Sequence, residues 1–429
     1  MRLAIRNGRL IDPAHKIDDR RDLFIAAGRI VGVGQGPEGF AAERAIDAAG
    51  RIVCPGLIDL CARLREPGLE HKATIASETR AAAAGGVTTL VCPPDTDPVI
   101  DETAVVELIR RRAEAAGHAR VLAIGALTRG LNGEQLTEMA ALKDAGCVGV
   151  GNAARHVTNT LVLRRSLEYA ATYGLTVFLN PADPWLTAAG CAHEGGVAAR
   201  LGLPGIAAAA ETTALARDLA LIGEVGVRVH FGRLSSRKAV ELIARAQSEG
   251  LPVTADVSAH HLHLTEHDLG RFDSQCHVLP PLRSHGDRDA LRIGLASGVL
   301  GAVCSDHQPH EPDAKQNPFA ATEPGISGLE TLLALGLQLV AEGLLPLPVL
   351  IERLTLGPAR ILGMDLGHLG VGAAADVCIF DPAAVWTLEA AAMISRGRNT
   401  PFLSRTFHGR VTHTLLGGRV VYAADETRA

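Results

Sequence analysis

Side chains able to ligate a metal, move a proton or grip a carboxylate gather just behind short apolar runs in this 429-residue chain. Cys61, Arg63 and Arg65 follow "PGLIDL", Asp95 follows "VTTLVC", Asn152 follows "CVGVG" and Asn180 ends "LTVFLN". Arg233 follows "VRVHF", His260 and His261 follow "PVTADV", and Asp306, His307 and His310 follow "VLGAVC". Residues i and i+2 of a strand share a face, the arrangement by which an HxH pair grips one metal. In this chain that face carries a thiol, Cys61, and a guanidinium, Arg63. A guanidinium has only donors and stays charged. At ~4 Å from Zn²⁺ and an effective dielectric of ~20 it opposes the divalent ion by ~8 kcal/mol. Zinc is therefore not expected at this pair.

The elements that must position these residues are legible from periodicity. Eight short runs read as strands: "RIVCPGLIDL", 87–92, 120–127, 147–151, 175–180, 227–231, 252–257 and 299–304. Between them lie helix-length segments at 73–84, 102–116, 133–145, 159–173, 207–222 and 236–249, and Gly85-Gly86 reads as a helix C-terminal turn. Such alternation over roughly 250 residues predicts an α/β fold, a closed (β/α)8 TIM barrel, whose chemistry sits at the C-terminal strand ends. The two ends of the chain instead show short alternating strands with Gly and Asp turns. Residues 1–54 and 366–429 are expected to form one small composite β-domain, with the barrel, 55–365, inserted in it.

Composition narrows the function. The formal charge of −5 is dispersed and there is no long Lys/Arg block, so nucleic acid is not an expected partner. Eight scattered cysteines without CxxC pairs predict reduced thiols and a cytoplasmic location. The start "MRLAIRNGRLIDP" has no secretory apolar segment, and the apolar stretch 329–350 is broken by charges and prolines. A soluble protein without membrane association is expected.

The motifs "PGLIDL", "LREPG", "GGVTTLVCPPDTDPVID", "GLPGIAAAAE", "VLPPLRS", "SDHQPH", "PGISGLETLL" and "GRNTPF" run through nearly the whole chain. In that order the chain resembles the dihydroorotases of the amidohydrolase superfamily, the type associated with aspartate transcarbamoylase. The resemblance implies one or two zinc ions held by an HxH after strand 1, an Asp or carboxylated Lys after strand 4, a His after each of strands 5 and 6, and an Asp after strand 8. At those positions this chain has Cys61 and Arg63, Asn152, Asn180, Arg233 and Asp306. Only Asp306 is retained, so no metal and no cofactor is expected and no catalytic residue is assigned. Arg65 matches the family's carboxylate-binding Arg, and His310 and the turn 324–328 match substrate contacts. The family's two substrate-binding Asn residues are replaced by Asp95 and Leu279. Asp95 would present a like charge to an anionic substrate.

A carboxylate alone in a half-buried barrel mouth is costly. Arg63 or Arg233 is therefore expected within salt-bridge distance of Asp306. Two alternatives remain open from the residues. Cys61 is either a zinc thiolate or a small thiol filling the space of a lost imidazole. The "HHLHL" segment contains a second HxH, His261 and His263, either a relocated metal site or an incidental pair. The resulting expectation is a silent dihydroorotase homologue that acts as a structural subunit for the aspartate transcarbamoylase catalytic chain, in a homo- or hetero-oligomer. Its rivals are a weakly active cyclic amidohydrolase with an altered or absent metal site, and a ligand sensor retaining Arg65 and His310.

Overall fold

The eight apolar runs pair edge to edge as parallel strands in the computed structural model, which describes residues 2–424. They are β1 (Leu57–Asp59), β2 (Val87–Cys92), β3 (Arg120–Ala126), β4 (Gly149–Gly151), β5 (Val177–Leu179), β6 (Val229–Phe231), β7 (Val253–Ser258) and β8 (Ala302–Cys304). Each is hydrogen-bonded to the next in sequence order. The ring closes just beyond the strands, where Ala62 pairs with His307: Arg63 N donates to the His307 carbonyl at 2.9 Å and His307 N to the Cys61 carbonyl at 3.2 Å. Closure therefore brings Cys61, Arg63 and Asp306 together, although they are more than half the chain apart.

Strands covered on both faces must be apolar on both faces, which is why these runs do not alternate. Ile58, Val91, Ile124, Phe178, Ala302 and Cys304 pack in the barrel interior, with Ile361 and Leu362 among them. Leu57, Leu90, Val150, Val229 and Val303 face the opposite way, into the main core beneath the helices. Helix starts are fixed by local caps: Thr74 and Ser77 form a capping box on Ile75–Ala84, Ser236 caps Arg237–Ser248, and Ser284 with Asp287 caps His285–Ser297. The barrel architecture expected from the alternation is thus present.

Two segments depart from expectation. "RIVCPGLIDL" is not one strand; it breaks at Gly56, with Ile52–Pro55 in a terminal sheet and Leu57–Asp59 in the barrel. The helix expected over 133–145 is confined to Met139–Asp144. The preceding residues are diverted into a loop tied to β3, with Gly133 N donating to Thr128 Oγ1 at 2.9 Å and Thr137 Oγ1 to the Ala126 carbonyl at 2.5 Å.

Two sheets flank the barrel. One has four strands, in the order 29–33, 23–26, 2–6, 44–47; the other has six, in the order 419–423, 406–416, 377–387, 52–55, 9–12, 17–20. Ile52–Pro55 pairs with Val377–Phe380, so the beginning and the end of the chain share one sheet. Leu3, Ile5, Leu10, Val53, Val377, Ile379 and Leu415 form their common core. All eight cysteines are free thiols, and among the described residues no helix is long and apolar enough to cross a membrane.

Gly56 is the joint between this sheet and the barrel. A Cβ there would lie 2.2 Å from Thr88 Oγ1 and 2.8 Å from Thr88 Cβ. Gly56→Ala is expected to destabilise the protein by about 1–3 kcal/mol in denaturant unfolding, the cost of overpacking. Gly223→Ala is the control, since it adds a methyl into open space on the helix Ala208–Val225. It is expected to be neutral or stabilising by up to about 1 kcal/mol.

Candidate functional site

Asp306 stands two residues beyond β8, 1% exposed. Four donors converge on one of its oxygens. Arg233 Nη1 is 2.9 Å from Oδ1, Gln308 Nε2 3.2 Å, Arg63 Nη1 3.4 Å and the Cys61 thiol 3.6 Å. Both arginines considered from the sequence therefore supply the counter-charge. Each has a second anchor: Arg63 Nε donates to Asp95 Oδ2 at 2.8 Å, and Arg233 Nε donates to Asn180 Oδ1 at 3.2 Å. Asn180 in turn donates to the Ala153 carbonyl at 2.9 Å. The result is a charge-balanced cluster of two guanidiniums and two carboxylates, in which Asp95 is occupied by Arg63.

Five of the six degenerate ligand positions, Cys61, Arg63, Asn180, Arg233 and Asp306, thus form one linked group. The sixth, Asn152, does not join it. Its amide accepts from Thr128 Oγ1 at 2.9 Å and donates to the carbonyls of Leu131 and Arg155 at 3.2 and 3.0 Å, bracing a loop. Arg65 and His310 form a separate corner. Arg65 Nε donates to the Pro309 carbonyl, Arg65 Nη2 lies 3.0 Å from His310 Nε2, and Lys72 Nζ lies 3.1 Å from His310 Nδ1. Burial, then Arg65, then Lys72 push His310 down to about 2, so its ring is neutral. Leu279, 38% exposed, lines a cavity with Asn180 and Arg233.

The backbone at this site is under strain. Arg65, Arg233 and Asp306 all adopt left-handed conformations, with φ of 63°, 58° and 45°. Aspartate tolerates this region; for arginine it is uncommon, with a cost of order 1–3 kcal/mol each. Local hydrogen bonds enforce it: Arg233 N donates to Asp256 Oδ1 at 2.5 Å, and Asp256 Oδ2 lies 3.1 Å from His230 Nε2.

Zinc does not fit these residues. Among the described residues no three His, Cys, Asp or Glu side chains are grouped to hold a metal ion. Two guanidiniums are already on the one retained acid, and burial pushes the Cys61 thiol far above its ordinary value, away from the thiolate that zinc needs. The second HxH is divided between partners: His261 bonds to Ser258 Oγ and the Pro281 carbonyl, and His263 Nε2 to the Leu335 carbonyl at 3.0 Å.

Several residues that hold this site together were not singled out from the sequence. Gln308 and Asp256 act as described above. Glu78 accepts from Ser395 Oγ at 2.6 Å and pairs with His307 Nε2 at 2.8 Å, locking the closure strand to the helix Ile75–Ala84. Asn399 accepts from His310 N and donates to the Gln308 and Gly325 carbonyls. Asn399 lies in "GRNTPF", so the motif was visible while the contact was not.

The ion pairs set a pH and mutational signature. Burial drives the Asp306 carboxyl up, but Arg233 and then Arg63 outweigh it and hold the group below its usual range. Such a carboxyl stabilises the fold above its unfolded pKa of about 3.9 and loses that contribution as pH falls through its lower folded value. The stability gap between the wild type and Asp306→Asn should therefore be widest near neutral pH and narrow below pH ~4, measured by denaturant unfolding across pH. Arg233→Ala should cost about 3–5 kcal/mol, and the pair Arg233→Met, Asp306→Leu less than the sum of its parts, because neither partner is left as a lone buried charge.

Sequence and structure comparisons agree with this frame. A dihydro-orotase-like family model matches residues 50–239, and an amidohydrolase family model matches 337–422. A dihydroorotase-like protein of Pseudomonas aeruginosa is 52% identical over 422 residues, covering 98% of this chain and all of that one. A dihydroorotase of Anaeromyxobacter dehalogenans is 45% identical over 426 residues, covering 99% of this chain and 98% of the relative. The L-hydantoinase of Arthrobacter aurescens superposes with a TM-score of 0.88 at 25% identity, covering 98% of this chain and 96% of that one. With its barrel, its terminal sheets and relatives of this identity along its full length, the chain belongs to the dihydroorotase-like family of amidohydrolases.

Proposed function

We propose that this chain is a catalytically silent dihydroorotase homologue, retained in the cytoplasm as a structural subunit that assembles with the aspartate transcarbamoylase catalytic chain in pyrimidine biosynthesis. The observation that carries the silence is the pairing of Asp306 with both Arg233 and Arg63. Hydrolysis of a cyclic amide needs a polarised carbonyl and an activated water. Asp306 is a poor base when two guanidiniums depress its carboxyl, and Cys61 is a neutral thiol. The arginines hold the reacting position through hydrogen bonds to Asp306, Asp95 and Asn180 and move no proton. The assembly role rests on the family resemblance and on the retention of the whole frame, closure strand and composite sheet included, in a site built without metal ligands.

The competing reading is a cyclic amidohydrolase of low activity. It is favoured by relatives at 45% and 46% identity that bear the name dihydroorotase. Purified protein, assayed in both directions with and without added zinc, is expected to show no turnover. Cys61→His alone should not change this, because Arg63 and Arg233 remain on Asp306. Turnover that disappears in Asp306→Asn would establish the competing reading.

The assembly is tested by size-exclusion chromatography of the chain expressed with and without the transcarbamoylase catalytic chain of its own organism. Co-elution at micromolar concentration is expected, with an interface summing well above the ~1,600 Å² of a standard contact. Separate elution, with transcarbamoylase activity and assembly indifferent to this chain, would overturn it.

A further inference from the structure

A cavity of about 540 Å³ opens at the end of the barrel opposite the Asp306 cluster, between the helix Thr103–Ala116, the start of β3 and the terminal hairpin 416–419. Its origin is the strand register. β2 pairs with β3 from Arg120 onward, whereas β4 joins β3 only at Ile124. The helix on that side, Met139–Asp144, is only six residues long, and its Leu142 lies over Gly125, where a Cβ would meet Leu142 Cδ1 at 2.9 Å. The first residues of β3 therefore have neither strand nor helix on the β4 side, and Val121 and Leu122 stay half-buried. The volume lies within the range of small-molecule sites, which are mostly apolar with a few polar groups.

Val106, Ile109, Val121, Leu122 and Leu416 supply the apolar wall. Space is open at the rim, where a Cβ on Gly146 or Gly417 would meet nothing within 4 Å. Three arginines also line the cavity, and their partners differ. Arg110 Nη1 pairs with Glu114 and its Nη2 with Glu107, both at 2.7 Å. Arg120 Nη1 pairs with Asp376 Oδ2 at 2.9 Å. Arg419 is exposed and makes no ion pair among the described residues; its Nη2 donates to the Gly117 carbonyl at 3.3 Å, at the C-terminal turn of the helix Thr103–Ala116. A guanidinium carries five N–H donors, so most of those on Arg419 remain available. The local field is positive as well: burial, then Arg80, then Arg419 hold His118 below its ordinary value.

We infer that this cavity binds a small amphipathic organic anion, its head group on Arg419 and its apolar body against Val106, Ile109, Val121 and Leu122. Arg110 and Arg120 are already answered by carboxylates, so the site matches a ligand with a single charge at one end rather than a polyanion. The planar fork of Arg419 suits an oxyanion head group, and the wall suits a body that leaves water. Binding involves no residue of the barrel mouth, no metal and no turnover.

Fluorescence titration of the full chain with anilinonaphthalene sulfonate tests this, with its uncharged parent phenylnaphthylamine as the comparison. The sulfonate stands in for a singly charged oxyanion head group. It should bind saturably with a Kd of ~100 μM or below, and more weakly as salt is raised. The uncharged parent should bind at least about five-fold more weakly. Arg419→Ala should weaken the anion by about five-fold or more while leaving the parent within about two-fold. Ala145→Trp, which places an indole at the cavity wall, should weaken both probes by about ten-fold or more. Arg155→Ala removes an exposed arginine at the barrel mouth and should change neither, and all three variants should keep the wild-type circular dichroism and melting. Absence of saturable binding up to ~1 mM, the parent binding as tightly as the anion, affinity indifferent to both Arg419→Ala and Ala145→Trp, or loss of binding in Arg155→Ala would each overturn the proposal. None of these outcomes bears on whether the chain turns over dihydroorotate or joins transcarbamoylase, so failure here is separable from failure there.

Discussion

One carboxylate sets the terms for the barrel mouth. Asp306 is almost fully buried, and a buried charge without a partner is not sustainable. In a metal-dependent barrel a cation bound between ligands meets that need. In this chain the side chains of Arg63 and Arg233 meet it, each bringing a second anchor, Asp95 and Asn180. The carboxylate is thus balanced by two guanidiniums, which occupy the oxygen a metal would need. A guanidinium satisfies its partner through directed donors and accepts nothing, so the same contact that secures the fold denies the site a labile water or an open coordination position.

The surrounding structure holds the Asp306 cluster in place. Ring closure at Ala62 and His307 places Cys61 and Arg63 next to Asp306, and the Glu78–His307 pair fixes that closure to the first barrel helix. The left-handed conformations of Arg65, Arg233 and Asp306 keep a strained backbone at three strand ends. At Arg233 the strain is held by Asp256, which receives its amide and contacts His230. These buried polar contacts hold the strand ends at the mouth in place.

Much of this was legible in the sequence because periodicity and position carry it. Continuous apolar runs of five or six residues alternating with capped helices leave few architectures besides a barrel, and residues just past the runs had to lie at one end of it. The ion pair on Asp306 followed from its charge together with the family resemblance, which placed Arg63 and Arg233 at the neighbouring ligand positions. What could not be read was the direction of each side chain. Asn152 sits at a ligand position yet turns to brace Thr128 and Leu131, because a loop with unsatisfied backbone groups lies beside it. Asp95 reads as a charge facing substrate until Arg63 is seen to reach it from the end of the neighbouring strand. Gly56 reads as the middle of a strand because both flanks are apolar, but its amide donates to the Asp376 carbonyl at the far end of the chain, and the strand is divided between two sheets.

The most direct test is a crystal structure of the protein grown with excess Zn²⁺ and measured across the zinc absorption edge. Arg63 and Arg233 should both contact Asp306, with no anomalous peak at the barrel mouth. An anomalous peak within ~2.2 Å of an Asp306 oxygen, with either arginine displaced into solvent, would contradict the account, because a metal would then have reclaimed the position assigned to the guanidiniums.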